Sequence, residues 1–225
     1  MKKRNFTLVE LLVVIGILAI LASLIIPAVI GAKQQGRITQ ARADMSSLRT
    51  AFESMAKDYS GRMAKKDSGK YKLGNVSFDP SDSDSIITIG KFSSGEYDDD
   101  YRETYCKVIA ELTDPANANL TVSLNKRKIK YLDPRPEYNP KNSPTDTDNK
   151  TNTWLDPWGN PYMIRINVDS SETIVDPSDT SKKLSGRIIL WSLGPDGKGS
   201  FGTGNDDNAV NKDNIPGWKD GNWFD

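Results

Sequence analysis

From Phe6 to Ile30 the chain reads FTLVELLVVIGILAILASLIIPAVI, apolar on every side of a helix, with Glu10 as its one charge. The 20 residues from Leu11 to Ile30 carry no charge. At about 1.5 Å per residue they make a helix of about 30 Å, the thickness of a bilayer's hydrocarbon core. Beyond Ile30 the apolar positions narrow to a stripe. Ile38, Ala41, Met45, Leu48, Phe52, Met55 and Tyr59 follow one another at spacings of 3, 4, 3, 4, 3 and 4. Arg37, Arg42, Asp44, Arg49, Glu53 and Lys57 fall between them, so one face is apolar and the rest solvated. Gly61 stands where a C-terminal cap glycine belongs. The pattern predicts one helix from Phe6 to about Tyr59, roughly 80 Å long. Three heptads are short for a coiled coil, so the stripe is read as a face packing on the chain's own globular domain.

Farther along, the pattern is shorter-ranged. Residues 62–99 are rich in Ser, Asp, Gly and Lys, with strand-like runs at Tyr71–Phe78 and Ile86–Phe92. Asp79, Asp82 and Asp84 alternate as in a calcium loop but lack the central Gly and closing Glu of an EF-hand, and read as a solvated turn. Glu96, Asp98, Asp99 and Asp100 precede YRETYCKVIAEL, in which Tyr101, Tyr105, Val108, Ile109 and Leu112 share a helical face. The acids then sit at a helix N-terminus and favour its dipole. Residues 133–153 hold four prolines and no apolar period, which marks a surface loop. Asp156-Pro157-Trp158-Gly159-Asn160-Pro161 forces a tight turn, and the aromatics Trp158 and Tyr162 can pin it to a sheet. It feeds a strand from Tyr162 to about Val168, and after a polar turn Arg187–Leu193 reads as the last, buried strand. The expected fold class is α+β, a long N-terminal helix packed on a small antiparallel β-sheet domain.

Composition narrows the chemistry. The 225 residues carry 30 basic and 30 acidic side chains, so no overall field selects nucleic acid or an acidic partner. With no histidine, the commonest general base and zinc ligand is missing, along with Ser-His-Asp and Cys-His catalysis. Cys106 is the one cysteine, which forbids an internal disulfide and reads as a small buried residue on a helix. The outer domain offers no nucleophile–base pair, so the chain is not read as an enzyme. Gly197, Gly199 and Gly202 spell G-x-G-x-x-G after a strand, but no helix follows and the next residues are acidic, which would repel a pyrophosphate.

The apolar N-terminus admits three readings. Its run is too long for a secretory signal peptide, and no Ala-x-Ala exit follows it. A plain anchor explains the length and the cytoplasmic Lys2, Lys3 and Arg4, but not Glu10, since a carboxylate at membrane depth needs a cationic partner. Over its whole length FTLVELLVVIGILAILASLIIPAV resembles the N-terminal motif of type IV pilin and type II secretion pseudopilin precursors. The resemblance implies a peptidase cut between Asn5, where the family usually has Gly, and Phe6, which is then N-methylated. It also implies that Glu10 pairs with the terminal amine of a neighbouring subunit, and that Pro27 kinks the helix. The fold implied is pilin-like, with a leader at 1–5, a transmembrane and assembly helix at 6–30, its amphipathic continuation at 31–60, and a globular domain at 61–225.

The C-terminal loop is the remaining candidate site. SLGPDGKGSFGTGNDDNAVNKDNIPGW is glycine-rich and carries Asp196, Asn205, Asp206, Asp207 and Asp213 as oxygen donors. Glycines let carbonyls turn inward, and a hard oxygen set suits calcium rather than a soft transition metal. DPWGNPY, a strand and then SLGPDG resemble the C-terminal half of the major pseudopilins of type II secretion systems. That family binds calcium in this loop, here 193–215, and the carried-over ligands are the Leu193 carbonyl, Asp196, Ser200, Asp206 and Asp207. The resemblance covers Phe6–Tyr59 and Leu155–Asp225, and residues 62–153 match nothing in it.

The function implied is a structural subunit of a pseudopilus or related filament. Its partners would be other pseudopilins, the prepilin peptidase, and an inner-membrane assembly platform with its cytoplasmic ATPase. It would sit as a single-pass protein in the bacterial inner membrane, its C-terminal domain periplasmic or extracellular. The alternative is a type IV pilus subunit acting in adhesion or DNA uptake. Only the short basic cluster Lys126, Arg127, Lys128 and Lys130 speaks for nucleic acid.

Overall fold

A computed structural model describes residues 8–58, 65–67, 70–73, 76–78, 86–89, 92–93, 96–97, 99–113, 125, 127–133, 154–167, 173–177, 179–199 and 213–218. The chain divides into two compact units, Met1–Gln40 and Ala41–Asp225. Helix α1, Leu8–Asp58, begins in the first and ends in the second.

In the first unit α1 passes through Pro27 as continuous helix. Pro27 has no N–H for the Ser23 carbonyl four residues back, so the helix forgoes one bond there. The Ser23 hydroxyl meanwhile donates to the Ile20 carbonyl at 2.7 Å. In the second unit the stripe is buried where it was expected, at Ala41, Met45, Leu48, Phe52 and Met55, with Ala51 and Ala56 added. Ile38 is half-buried, and Tyr59 and Gly61 lie outside the described residues.

The central sheet has four antiparallel strands in the order β11-β10-β7-β4, namely Ile215–Pro216, Ile188–Ser192, Met163–Asn167 and Ile86–Ile89. β7 and β10 are buried at all five positions, as strands covered on both faces must be. Side chains alternate, so Met163 with Ile189, Trp191 and Leu193 faces one way. Ile174 packs there too, with Leu184 and Trp218 partly buried against the cluster. Trp218 meets Trp191 edge to face, with ring centroids 6.1 Å apart. The other face carries Ile164, Ile166, Ile188 and Leu190. Tyr162 shares that face and donates its hydroxyl to Asp44 of α1 at 2.9 Å, which makes it the face α1 covers. Burial and the Asp44 charge push the Tyr162 hydroxyl far above its ordinary value, so it stays a donor.

Helix α2, Asp99–Thr113, packs beside β4. Its expected face is buried at Tyr105, Val108, Ile109 and Leu112, and the Tyr105 hydroxyl donates to the Trp154 carbonyl. Cys106, expected in the core, is only half-buried, because it sits one position past Tyr105 and off that face. After α2 the chain is held by the buried Asn125. Its N–H donates to Glu111 Oε2 at 2.9 Å, and its Oδ1 accepts from Ile129 N at 3.0 Å. This presents Arg127, Lys128 and Lys130 to solvent, with Lys128 at φ 52° and Lys130 paired to Asp133 at 2.7 Å. Lys126 and residues 134–153 lie outside the described residues.

Three expectations change. The run Tyr71–Phe78 is two strands, β2 (Lys70–Leu73) and β3 (Val76–Phe78), paired antiparallel with β1 (Lys65–Asp67) as a third. Leu73 pairs with Val76 across Gly74 and Asn75, a dipeptide suited to a two-residue hairpin loop. Ile86–Phe92 likewise divides, β4 joining the central sheet while β5, Phe92–Ser93, pairs with β6, Glu96–Tyr97. The polar stretch before Arg187 is a ribbon, β8 (Thr173–Asp176) against β9 (Asp179–Ser185), in which Ile174 faces Leu184. The Asp79, Asp82 and Asp84 turn lies outside the described residues.

Candidate functional site

Two regions carry candidate chemistry. The first is the apolar half of α1. Every Leu, Val and Ile from Leu8 to Ile30 is between 46% and 80% exposed. An apolar surface of that extent marks a membrane or protein interaction site. Among the described residues α1 is the one helix long and apolar enough to cross a membrane. Glu10 lies in its first turn and is exposed, where the helix dipole favours its charge. Asn5 and Phe6, the expected cut and methylation site, lie outside the described residues.

The second is the C-terminal loop. After β10 the chain enters Leu193, buried, and Gly194, at φ 68°. The pairing of Ser192 with Ile215 returns the end of the loop to its beginning and sets Asp213 against Gly194. A Cβ on Gly194 would lie 2.2 Å from the Asp213 carbonyl oxygen, so only glycine fits. Asp196 is exposed, and its N–H donates to Asp213 Oδ2 at 3.2 Å. Its own Oδ1 accepts from Lys198 N at 2.9 Å in a local turn. The Asp213 carboxylate from the end of the loop thus meets the backbone of Asp196 near its beginning, beside a buried strand end. Every donor gathered here is oxygen, which fits a hard divalent cation such as calcium. Asp196 and Asp213 alone do not complete a site; among the described residues no group of three or more acids, His or Cys is arranged for a metal. Ser200, Asp206 and Asp207, the other expected ligands, lie outside the described residues.

Beneath the loop lies the turn 156–160. Asp156 is buried, and its Oδ1 accepts from Trp158 N at 3.0 Å and from Asn160 N at 2.8 Å. Its Oδ2 accepts from the Ser192 hydroxyl at 2.6 Å. Burial pushes the Asp156 carboxyl above its usual range, and the bonds from Ser192 and the two backbone N–H groups pull it partly back. Asn160 Nδ2 donates to the Gly194 carbonyl at 2.9 Å. Asp213 was legible as an oxygen donor, but the contributions of Asp156, Asn160 and Ser192 were not. The signal available was local: an Asp two and four residues before free backbone N–H groups, followed by Pro and Gly.

Residues 1–26 match the family described as the prokaryotic N-terminal methylation motif. Over 213 residues the chain is 26% identical to the type II secretion system core protein G of Pseudomonas aeruginosa, across 95% of this chain and 97% of that protein. No solved structure matches it. With a methylation motif opening an exposed apolar helix, a small antiparallel sheet in its globular unit and end-to-end similarity to a core protein G, the chain is similar to the type IV pilins and type II secretion pseudopilins.

Proposed function

We propose that the chain is a structural subunit of a type II secretion pseudopilus, assembling through the apolar half of α1. The observation that carries this is the surface Leu8–Ile30, exposed throughout, while among the other described residues Ile129 is the one large apolar side chain left exposed. Such a surface is at rest in lipid or against copies of itself. Before assembly the subunit waits in the inner membrane, its globular domain on the far side from the cytoplasm, consistent with the basic Lys2, Lys3 and Arg4. The prepilin peptidase cuts between Asn5 and Phe6, and Phe6 is methylated.

In the filament Glu10 meets the Phe6 amine of the next subunit. An unpaired carboxylate in apolar surroundings costs several kcal/mol, so this pair fixes the register. Pro27, which costs the helix one backbone bond, gives it a place to bend between neighbours. The assembly platform and its ATPase would supply the work of extraction from the membrane. Of the basic cluster that suggested a pilus subunit acting in DNA uptake, Lys130 is already paired, and the similarity to core protein G favours secretion.

The C-terminal loop would hold calcium through the Leu193 carbonyl, Asp196, Ser200, Asp206 and Asp207, with Asp213 added by its place beside Asp196. The ion's role there is to bridge carboxylates from distant parts of the loop. The function is tested by mass spectrometry of the mature protein from cells carrying the peptidase. Loss of residues 1–5 and one added methyl on Phe6 is expected. An intact Met1 terminus would contradict it.

A further inference from the structure

The turn Asp156–Asn160 holds two polar side chains, those of Asp156 and Asn160. Both lead to one residue, Gly194. The Gly194 N–H donates to Ser192 Oγ at 3.1 Å, and Ser192 in turn donates to Asp156 Oδ2. The Gly194 carbonyl accepts from Asn160 Nδ2, and Asn160 is itself held through its N–H by Asp156 Oδ1. Asn160 also closes on its own turn, its carbonyl accepting from Asp156 N at 2.8 Å. Gly197, at φ 66°, is its second neighbour, since a Cβ there would lie 2.8 Å from Asn160 Oδ1. The two left-handed glycines bracket Pro195 and Asp196, and Asn160 sits against both.

We propose that Asn160, set by Asp156, is the positioning residue of the C-terminal cation loop. It fixes Gly194 and Gly197 so that the Leu193 carbonyl and Asp196 are held in place before an ion arrives, and it does not touch the ion. This rests on the calcium reading above. A loop fixed in advance loses less conformational freedom on binding, and partners one shell out from a metal typically govern affinity by about 10- to 100-fold. Without the Asn160 amide, Gly194 keeps its left-handed freedom but loses the bond that selects one conformation of it.

The test is calorimetric titration of calcium chloride into the full-length protein in detergent, for wild type, Asn160→Ala and Ile166→Val. Ile166 is buried on the opposite face of the sheet from Leu193, so its variant lowers stability away from the loop. Asn160→Ala is expected to bind calcium about 10- to 100-fold more weakly, and Ile166→Val at wild-type strength. In calcium-free buffer, the amides of Gly194 and Asp196 should exchange faster in Asn160→Ala alone. Equal calcium affinity in wild type and Asn160→Ala overturns the positioning role, as does an equal loss in Ile166→Val. No calcium binding by wild type overturns the calcium reading and this role with it.

Discussion

From Leu8 to Ile30 α1 leaves every Leu, Val and Ile at least 46% exposed, while Met45, Leu48, Phe52 and Met55 in the same helix are at most 1% exposed. Both stretches are helical and both are rich in apolar residues. They differ in pattern. The first is apolar all round, and no single folded domain can cover every side of it. The second confines its apolar residues to one stripe, which one sheet face covers, with Tyr162 bonded to Asp44 at its edge. The period of the hydrophobic pattern thus records which partner completes each half: the chain's own domain for one, lipid or sister subunits for the other.

The comparison breaks most visibly if the first half is removed. A chain of residues 31–225 is expected to leave the membrane fraction entirely and to stay soluble, with the near-ultraviolet spectrum of a packed domain. Aggregation or a lost spectrum would mean that the globular unit depends on the apolar half. Next in size is a contrast of two truncations. Phe52→Ala empties a fully buried position and should cost about 3–5 kcal/mol in urea unfolding of that soluble chain. Leu18→Ala in the full-length protein should leave the domain's melting temperature unchanged, because Leu18 is 58% exposed. A matching loss at Leu18 would erase the distinction between the halves.

The smallest effect is one of pH. The Asp156 carboxyl is raised in the folded protein, so the fold binds its proton more tightly than the unfolded chain does. Stability from this group is therefore gained as pH falls through the folded value and is lost as pH rises through it. Asp156→Asn keeps the shape without the charge. Its melting temperature should gain on wild type as pH rises from about 4, the unfolded carboxylate range. A gap that narrows over that window would reverse the assignment.

Long-period features were legible in the residues, and long-range ones were not. The stripe from Ala41 to Met55 and the unbroken runs of β7 and β10 declare their burial within a few turns or residues. The ribbon β8–β9 escaped because Asp179–Ser185 is polar, its apolar partner to Ile174 being Leu184 alone. β11 is two residues long and contains Pro216, which an edge position tolerates since it needs no N–H from that residue. At the C-terminal loop, glycine and acid content announced oxygen ligation. The nearness of Asp196 to Asp213, and of Asn160 to Gly194, depends on sheet pairing that closes over 17 and 34 residues. No local spacing encodes that.

The central claim is that the exposed half of α1 is completed by sister subunits and that Glu10 fixes their register. Its most direct test is electron microscopy of filaments from cells expressing the assembly machinery with wild type or Glu10→Ala, alongside membrane fractionation. Wild type should form filaments, and Glu10→Ala should remain in the membrane fraction and form none. Filaments of Glu10→Ala at wild-type abundance would contradict the account.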